Sequence, residues 1–143
     1  MFIGEFQHTL DPKGRLILPA KFRDALSDGL VMTKGFENCI FIFSNAEWPK
    51  VEDKFRSQTL LKKQARQLSR FFFSGTAEET PDKQGRVMIP GNLREHAELE
   101  KDAVVIGVAN RLEVWSKKNW QEYSSLAQDS FEETAEDLAD IDF

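Results

Sequence analysis

One cysteine, two histidines and no long apolar run set the first limits on this 143-residue chain. Cys39 has no second cysteine to pair with, so an internal disulfide is excluded, and a single thiol cannot build a zinc cluster. His8 and His96 have no partner at metal-ligand spacing. The longest purely apolar stretches, Cys39–Phe43 and Ala103–Ile106, fall far short of the roughly 20 residues needed to span a bilayer. No segment has the charged, apolar and small-residue order of a signal peptide. The expectation is a soluble, cytoplasmic protein. Enzyme signatures are missing too: there is no nucleophile elbow or phosphate loop, and Gly14-Arg15 is not a glycine-rich cradle. Ser44 and His8 read as a helix cap and a surface histidine. No catalytic residue, metal, cofactor or small-molecule substrate is implied.

What is present is a core and an uneven charge. A hydrophobic content of 41% suffices for one domain. The net charge of −5 argues at first against a polyanionic partner, because nucleic-acid affinity rests on Lys and Arg neutralising phosphates. The distribution says more. Asp129, Glu132, Glu133, Glu136, Asp137, Asp140 and Asp142 crowd residues 129–143 with no base among them, so the rest of the chain sums to +2. Between Lys54 and Arg70 stand six bases (Lys54, Arg56, Lys62, Lys63, Arg66 and Arg70) and no acid. Such a run reads either as a solvated helix face or as a surface turned toward a polyanion.

The chain also contains one unit twice. Asp11-Pro12-Lys13-Gly14-Arg15-Leu16-Ile17-Leu18-Pro19-Ala20-Lys21-Phe22-Arg23 aligns with Asp82-Lys83-Gln84-Gly85-Arg86-Val87-Met88-Ile89-Pro90-Gly91-Asn92-Leu93-Arg94 at an offset of 71 residues. Five of the thirteen positions are identical and four more exchange one apolar residue for another; average residue usage gives about one identity by chance. The match reaches back through Gly4/Gly75 and Thr9/Thr80. After a one-residue insertion it runs on through Gly35/Gly107, Asn38/Asn110, Ser44/Ser116 and Trp48/Trp120. The chain therefore divides into residues 1–71, a repeat with a helical extension, and 72–143, a repeat with a helix and an acidic tail.

Each copy predicts the same order of elements. A strand (Phe2–Leu10; Phe72–Glu79) meets a turn in which Gly14 or Gly85 supplies a positive φ, then a three-residue apolar strand that stops at Pro19 or Pro90. A short helix follows (Ala20–Leu26; Gly91–Leu99). Two more strands come next, Gly29–Lys34 with Cys39–Phe43 and Ala103–Val108 with Leu112–Trp115, joined by loops at Gly35–Asn38 and Ala109–Arg111. Ser44 with Glu47 fits a capping box, and Ser116 caps the second copy. Val51, Phe55, Leu61, Ala65, Leu68 and Phe72 keep helical spacing, with a break expected near Thr59. In the tail, Phe131, Ala135 and Leu138 fit an amphipathic turn or two, or disorder. Half a chain with short strands buries too little surface alone, so a β-rich α+β fold is expected in which two pseudo-twofold repeats share one barrel-like core, with helices at its periphery.

The duplicated D-x-x-G-R followed by an apolar strand and Pro, with Gly-Phe-Glu-Asn-Cys, Ser-x-x-x-Trp and the Met-Phe-x-Gly-Glu start, resembles the MraZ family of bacterial transcriptional regulators along essentially the full chain. The resemblance implies a swapped-hairpin β-barrel of the AbrB kind, formed within one subunit from its two repeats. It implies ring-shaped homo-oligomers, an octamer in the family, in the cytoplasm and on the nucleoid. It also implies binding to short direct repeats of promoter DNA upstream of a division and cell-wall gene cluster. Asp11–Arg15 and Asp82–Arg86 match the family's paired DxxxR motifs.

Residue chemistry leaves two readings of those motifs open. Asp four residues before Arg across a tight turn fits an ion pair that fixes the hairpin. It also fits a turn that sets cations against DNA, where Arg pairs bidentately with phosphate or guanine and Lys acts as a point charge. Combined with the resemblance, the expected DNA contacts are Lys13, Arg15, Lys83 and Arg86. Lys21, Arg23, Gln84 and Arg94 are weaker candidates, and Asp11, Gly14, Asp82 and Gly85 orient the turns. Lys13 aligns with a neutral counterpart, Gln84, so the second copy is expected to grip phosphate less. Linked copies would multiply weak contacts, since avidity adds ~10²- to 10⁴-fold. Phe36, Phe71, Phe72, Trp48 and Trp120 are expected in the core or in subunit contacts. The rival reading is an oligomeric barrel scaffold without DNA contact, whose Lys54–Arg70 segment binds an acidic protein partner.

Overall fold

The computed structural model describes residues 1–138. Asp140 and Asp142, counted in the acidic tail, lie outside the described residues. The first half runs β1 (Phe2–Thr9), β2 (Arg15–Ile17), a 3₁₀ turn at Ala20–Phe22 leading into α1 (Arg23–Leu26), β3 (Leu30–Lys34), β4 (Ile40–Ser44), α2 (Trp48–Arg56) and α3 (Lys63–Ser74). The second runs β5 (Ala77–Glu79), β6 (Arg86–Met88), α4 (Gly91–His96), β7 (Asp102–Ala109), β8 (Leu112–Ser116), α5 (Lys117–Asp129) and α6 (Phe131–Asp137).

Pairing crosses between the halves everywhere except in the two hairpins β3–β4 and β7–β8. An antiparallel six-stranded sheet has the order β1-β7-β8-β4-β3-β5, and β2 pairs with β6 in a separate ribbon. Exchange each strand for its counterpart in the other half and the same order returns, read from the opposite edge. The expected closed barrel is not what the pairing gives: β1 and β5 end the large sheet as edges. The three-residue strands β2 and β6 use their ladder bonds on each other and leave only an isolated Leu10–Leu16 bridge toward β1.

The inner strands are apolar on both sides because both faces of the sheet are covered. On one face Leu30, Met32, Ile40, Ile42, Val105, Leu112 and Val114 pack with Leu16, Leu18, Val87 and Ile89 from the ribbon and its exits, and with Phe22, Leu26 and Leu93. The alternate residues, Phe41, Phe43, Val104, Ile106 and Trp115, meet Val51 and Phe72 on the other face. The period of two thus assigns each strand residue to one of two cores. The ribbon is pinned to the sheet by its own inward side chains.

Several sequence expectations change. The strand expected over Phe72–Glu79 shrinks to Ala77–Glu79 because α3 continues through Ser74. Phe72 is drawn into an aromatic cluster, stacked on Phe55 at 4.2 Å and on Trp48 at 6.1 Å. The helix break near Thr59 is present between α2 and α3. Ser44 accepts the Glu47 N–H at 3.2 Å, but α2 begins after Glu47, so the box is a turn before the helix rather than its cap; Ser116 does cap α5, accepting from the Asn119 N–H at 3.0 Å. The helix expected over Gly91–Leu99 stops at His96, ahead of Glu98 at φ 54°. Leu30 faces Ser44 and Ala103 faces Ser116, so Gly107 is the counterpart of Lys34, not of Gly35. Phe36 and Phe71 are not core residues: they are 66% and 55% exposed, whereas Phe72 is buried and Trp48 and Trp120 partly so. Within the tail, Phe131–Asp137 forms α6.

Candidate nucleic-acid interface

The two motifs fold into the same turn, bond for bond. Asp11 donates its N–H to the Arg15 carbonyl at 2.9 Å and accepts at its own carbonyl from the Gly14 N–H at 2.9 Å. Its Oδ1 accepts the N–H groups of Lys13 and Arg15, both at 2.9 Å, and its Oδ2 accepts from Arg15 Nε at 2.6 Å. In the second turn Asp82 bonds Gln84 N and Arg86 N at 2.9 Å and Arg86 Nε at 2.8 Å. One short carboxylate therefore satisfies the turn's backbone donors and orients its arginine, which is why Asp stands at the first position. Gly14 and Gly85 take φ of 84° and 77°, as the turn requires.

These turns are locked to one another. Leu18 donates to the Gly85 carbonyl at 2.9 Å and Ile89 to the Gly14 carbonyl at 3.0 Å. Arg23 lies against Gly85 and Arg94 against Gly14, each arginine reaching the turn of the opposite half. Arg23 Nε donates to the Leu18 carbonyl at 3.0 Å, while Arg94 Nε is buried without a hydrogen-bond partner among the described residues. The weaker candidates Arg23 and Arg94 are thus half-buried turn supports; Lys21 and Gln84 are exposed.

In the ribbon, Arg15 faces Met88, Leu16 faces Val87 and Ile17 faces Arg86. Leu16 and Val87 are buried, so Arg15, Ile17, Arg86 and Met88 share the outer face, with exposed Lys13 and Lys83 in the turns at its two ends. All four expected principal contacts lie along this one short ribbon and its turns.

The family model described as "MraZ protein, putative antitoxin-like" matches the chain twice, over residues 1–71 and 72–142. The chain belongs to the MraZ family. Curated relatives named transcriptional regulator MraZ agree over nearly the whole length. That of Desulforamulus reducens is 50% identical, with 99% of each chain covered, and that of a Thermoanaerobacter species 52% identical with the same coverage. The Heliobacterium modesticaldum protein is 48% identical, again with 99% of each chain covered.

In this MraZ-family chain the electrostatics of both turns follow from their hydrogen bonds. The Arg15 N–H foremost, then the Arg15 side chain and the Lys13 N–H, hold the Asp11 carboxyl below the usual aspartate range, against partial desolvation that raises it. Asp82 is lowered in the same way, chiefly by the Arg86 N–H. Both carboxylates are therefore ionised partners of their arginines at neutral pH. His8 is pushed down, first by burial and then by the charge of Arg23. Among the described residues there is no metal-ligating cluster and no helix long and apolar enough to cross a membrane.

Ile17 and Met88, not singled out from the sequence, share this outer face. Period-two alternation held the signal: with Leu16 and Leu18 inward, Ile17 points out, and with Val87 and Ile89 inward, Met88 does. The support of each turn by the other half's arginine had no local signal at all.

Proposed function

We propose that this MraZ-family chain is a sequence-specific DNA-binding transcriptional regulator, not an enzyme, and that its paired turns and the ribbon between them form the DNA-contacting surface. One observation carries the reading: Lys13, Arg15, Lys83 and Arg86 are gathered along one exposed ribbon, with both arginines held in place by carboxylates. Fixed arginines lose little freedom on binding, which favours bidentate contacts to guanine or phosphate. Asp11, Gly14, Asp82 and Gly85 act as turn-setters, and Arg23 and Arg94 as supports.

The finer picture follows the family. Residues 1–71 and 72–143 act as two repeats of one AbrB-like unit. Several copies assemble into a ring, and that ring binds short direct repeats in a promoter of the division and cell-wall cluster, on the nucleoid in the cytoplasm. Exposed Leu60, Leu61, Leu68 and Phe71 around α3, and Leu126 and Phe131 on α5 and α6, support assembly, because apolar side chains this exposed gain from burial against another copy. Assembly also answers the small positive charge outside the acidic tail, since linked copies combine individually weak phosphate contacts.

Titration against a duplex of direct repeats and against a scrambled duplex, at two salt concentrations, tests the reading. Sequence preference is expected, and Arg15→Ala is expected to weaken binding by about tenfold or more. Sequence-blind binding, or an unchanged Arg15→Ala variant, would overturn it in favour of a scaffold that meets an acidic protein through Lys54–Arg70. Light scattering that finds a strict monomer would remove the ring.

A further inference from the structure

We propose that Ile17 and Met88 read thymine methyl groups in the major groove, making the ribbon's outer face a specificity surface as well as an electrostatic one. This rests on the DNA-binding reading above. The register sets two arginines and two apolar side chains at alternating corners of one small face: Arg15 beside Met88, and Ile17 beside Arg86. Ile17 is 42% exposed and Met88 39%, although their strand neighbours Leu16 and Val87 are buried to 0% and 1%. Neither residue serves the core, and each stands where a polar side chain would be solvated at no cost.

Dimensions and charge both point to DNA as the occupant. Paired strands lie about 4.8 Å apart, and alternate residues along a strand about 6.8 Å apart. A face of that size fits the major groove, roughly 12 Å wide, and not the minor groove at roughly 6 Å. Base pairs are stacked about 3.4 Å apart, so Arg15 and Ile17, or Arg86 and Met88, fall about two base steps from one another. In the major groove, arginine recognises guanine O6 and N7, whereas thymine presents its C5 methyl to apolar side chains. A second copy of this chain is a poorer occupant, because a self-complementary contact through the face would bring arginines of like charge together.

The test uses the full-length protein and duplexes it selects from a randomised pool, remade with deoxyuridine at each thymine in turn, which deletes only the C5 methyl. The unmodified protein is expected to lose roughly three- to tenfold in affinity at particular thymines. Ile17→Ala is expected to bind the thymine duplex more weakly by a similar factor and to become insensitive to deoxyuridine at one of those positions; Met88→Ala is expected to do so at another. Both variants should keep the salt dependence of the parent, whereas Lys13→Ala, which removes a point charge in the turn, should lower its slope by about one phosphate's worth. Unchanged thermal melting shows that the variants fold. Selected sites without thymine, indifference to every methyl, or variants as methyl-sensitive as the parent would overturn the inference while leaving DNA binding intact. Failure to select any duplex would overturn the DNA-binding reading and this inference with it.

Discussion

The guanidinium of Arg94 lies against Gly14: a Cβ at Gly14 would come within 2.8 Å of the Arg94 Cζ. Arg23 stands in the same relation to Gly85, its Nε 2.6 Å from where a Cβ would sit. Each turn that presents an arginine outward is therefore backed by an arginine from the other half. The exchange makes the two turns one mechanical unit.

Gly14→Ala and Gly85→Ala are expected to cost about 1–2 kcal/mol each, because alanine resists the left-handed backbone, and somewhat more where the arginine cannot withdraw. Combining Gly14→Ala with Arg94→Ala should recover the steric part and leave the backbone part. Denaturant unfolding of the two single variants and the double variant separates them.

Acid should loosen both turns. Native Asp11 and Asp82 bind a proton less readily than they do in the unfolded chain. Their contribution is complete above the ordinary aspartate value of about 4 and drains away as pH falls through it toward their lowered native values. Melting temperature is expected to fall over that window, and less steeply in an Asp11→Asn, Asp82→Asn double variant. An equally steep acid limb in that variant would assign the loss to other carboxylates.

Glu113, 7% exposed, accepts from Trp115 Nε1 at 3.1 Å and from Arg111 Nε at 3.0 Å. Glu113→Ala strands a buried indole N–H and unpairs the arginine, so a loss of about 2 kcal/mol is expected. Glu113→Gln, which keeps an acceptor for the indole, should lose less. Chemical denaturation followed by tryptophan fluorescence reads both.

Cys39 is fully buried, and burial pushes its thiol far above the ordinary range. A thiol-directed alkylating reagent should leave the native protein unmodified and label one site per chain in denaturant. Prompt labelling of the folded protein would show that the loop leading into β4 at Cys39 opens locally.

Much of the candidate site was legible in the chain because its chemistry is local. Asp, Gly and Arg at fixed places in five residues specify a turn whose carboxylate bonds all close within those residues, so both turns and their positive φ values followed from Asp11–Arg15 and Asp82–Arg86. The alternation of Leu16, Ile17 and Leu18 likewise held the direction of every ribbon side chain. Tertiary structure alone decided which half each strand would join. Two copies of one repeat carry nearly the same strand signals, so β1 matches β3 and β7 alike by pattern. Packing of the shared core, to which β1 gives Phe2 and Phe6 and the ribbon gives Leu16 and Val87, goes with β1 on β7 and β2 on β6. The same long-range packing drew Phe72 out of an expected strand and into the aromatic cluster beneath α2. It carried Arg23 and Arg94 across to the opposite turns, since the energy of a shared core depends on partners that lie half a chain away in the sequence.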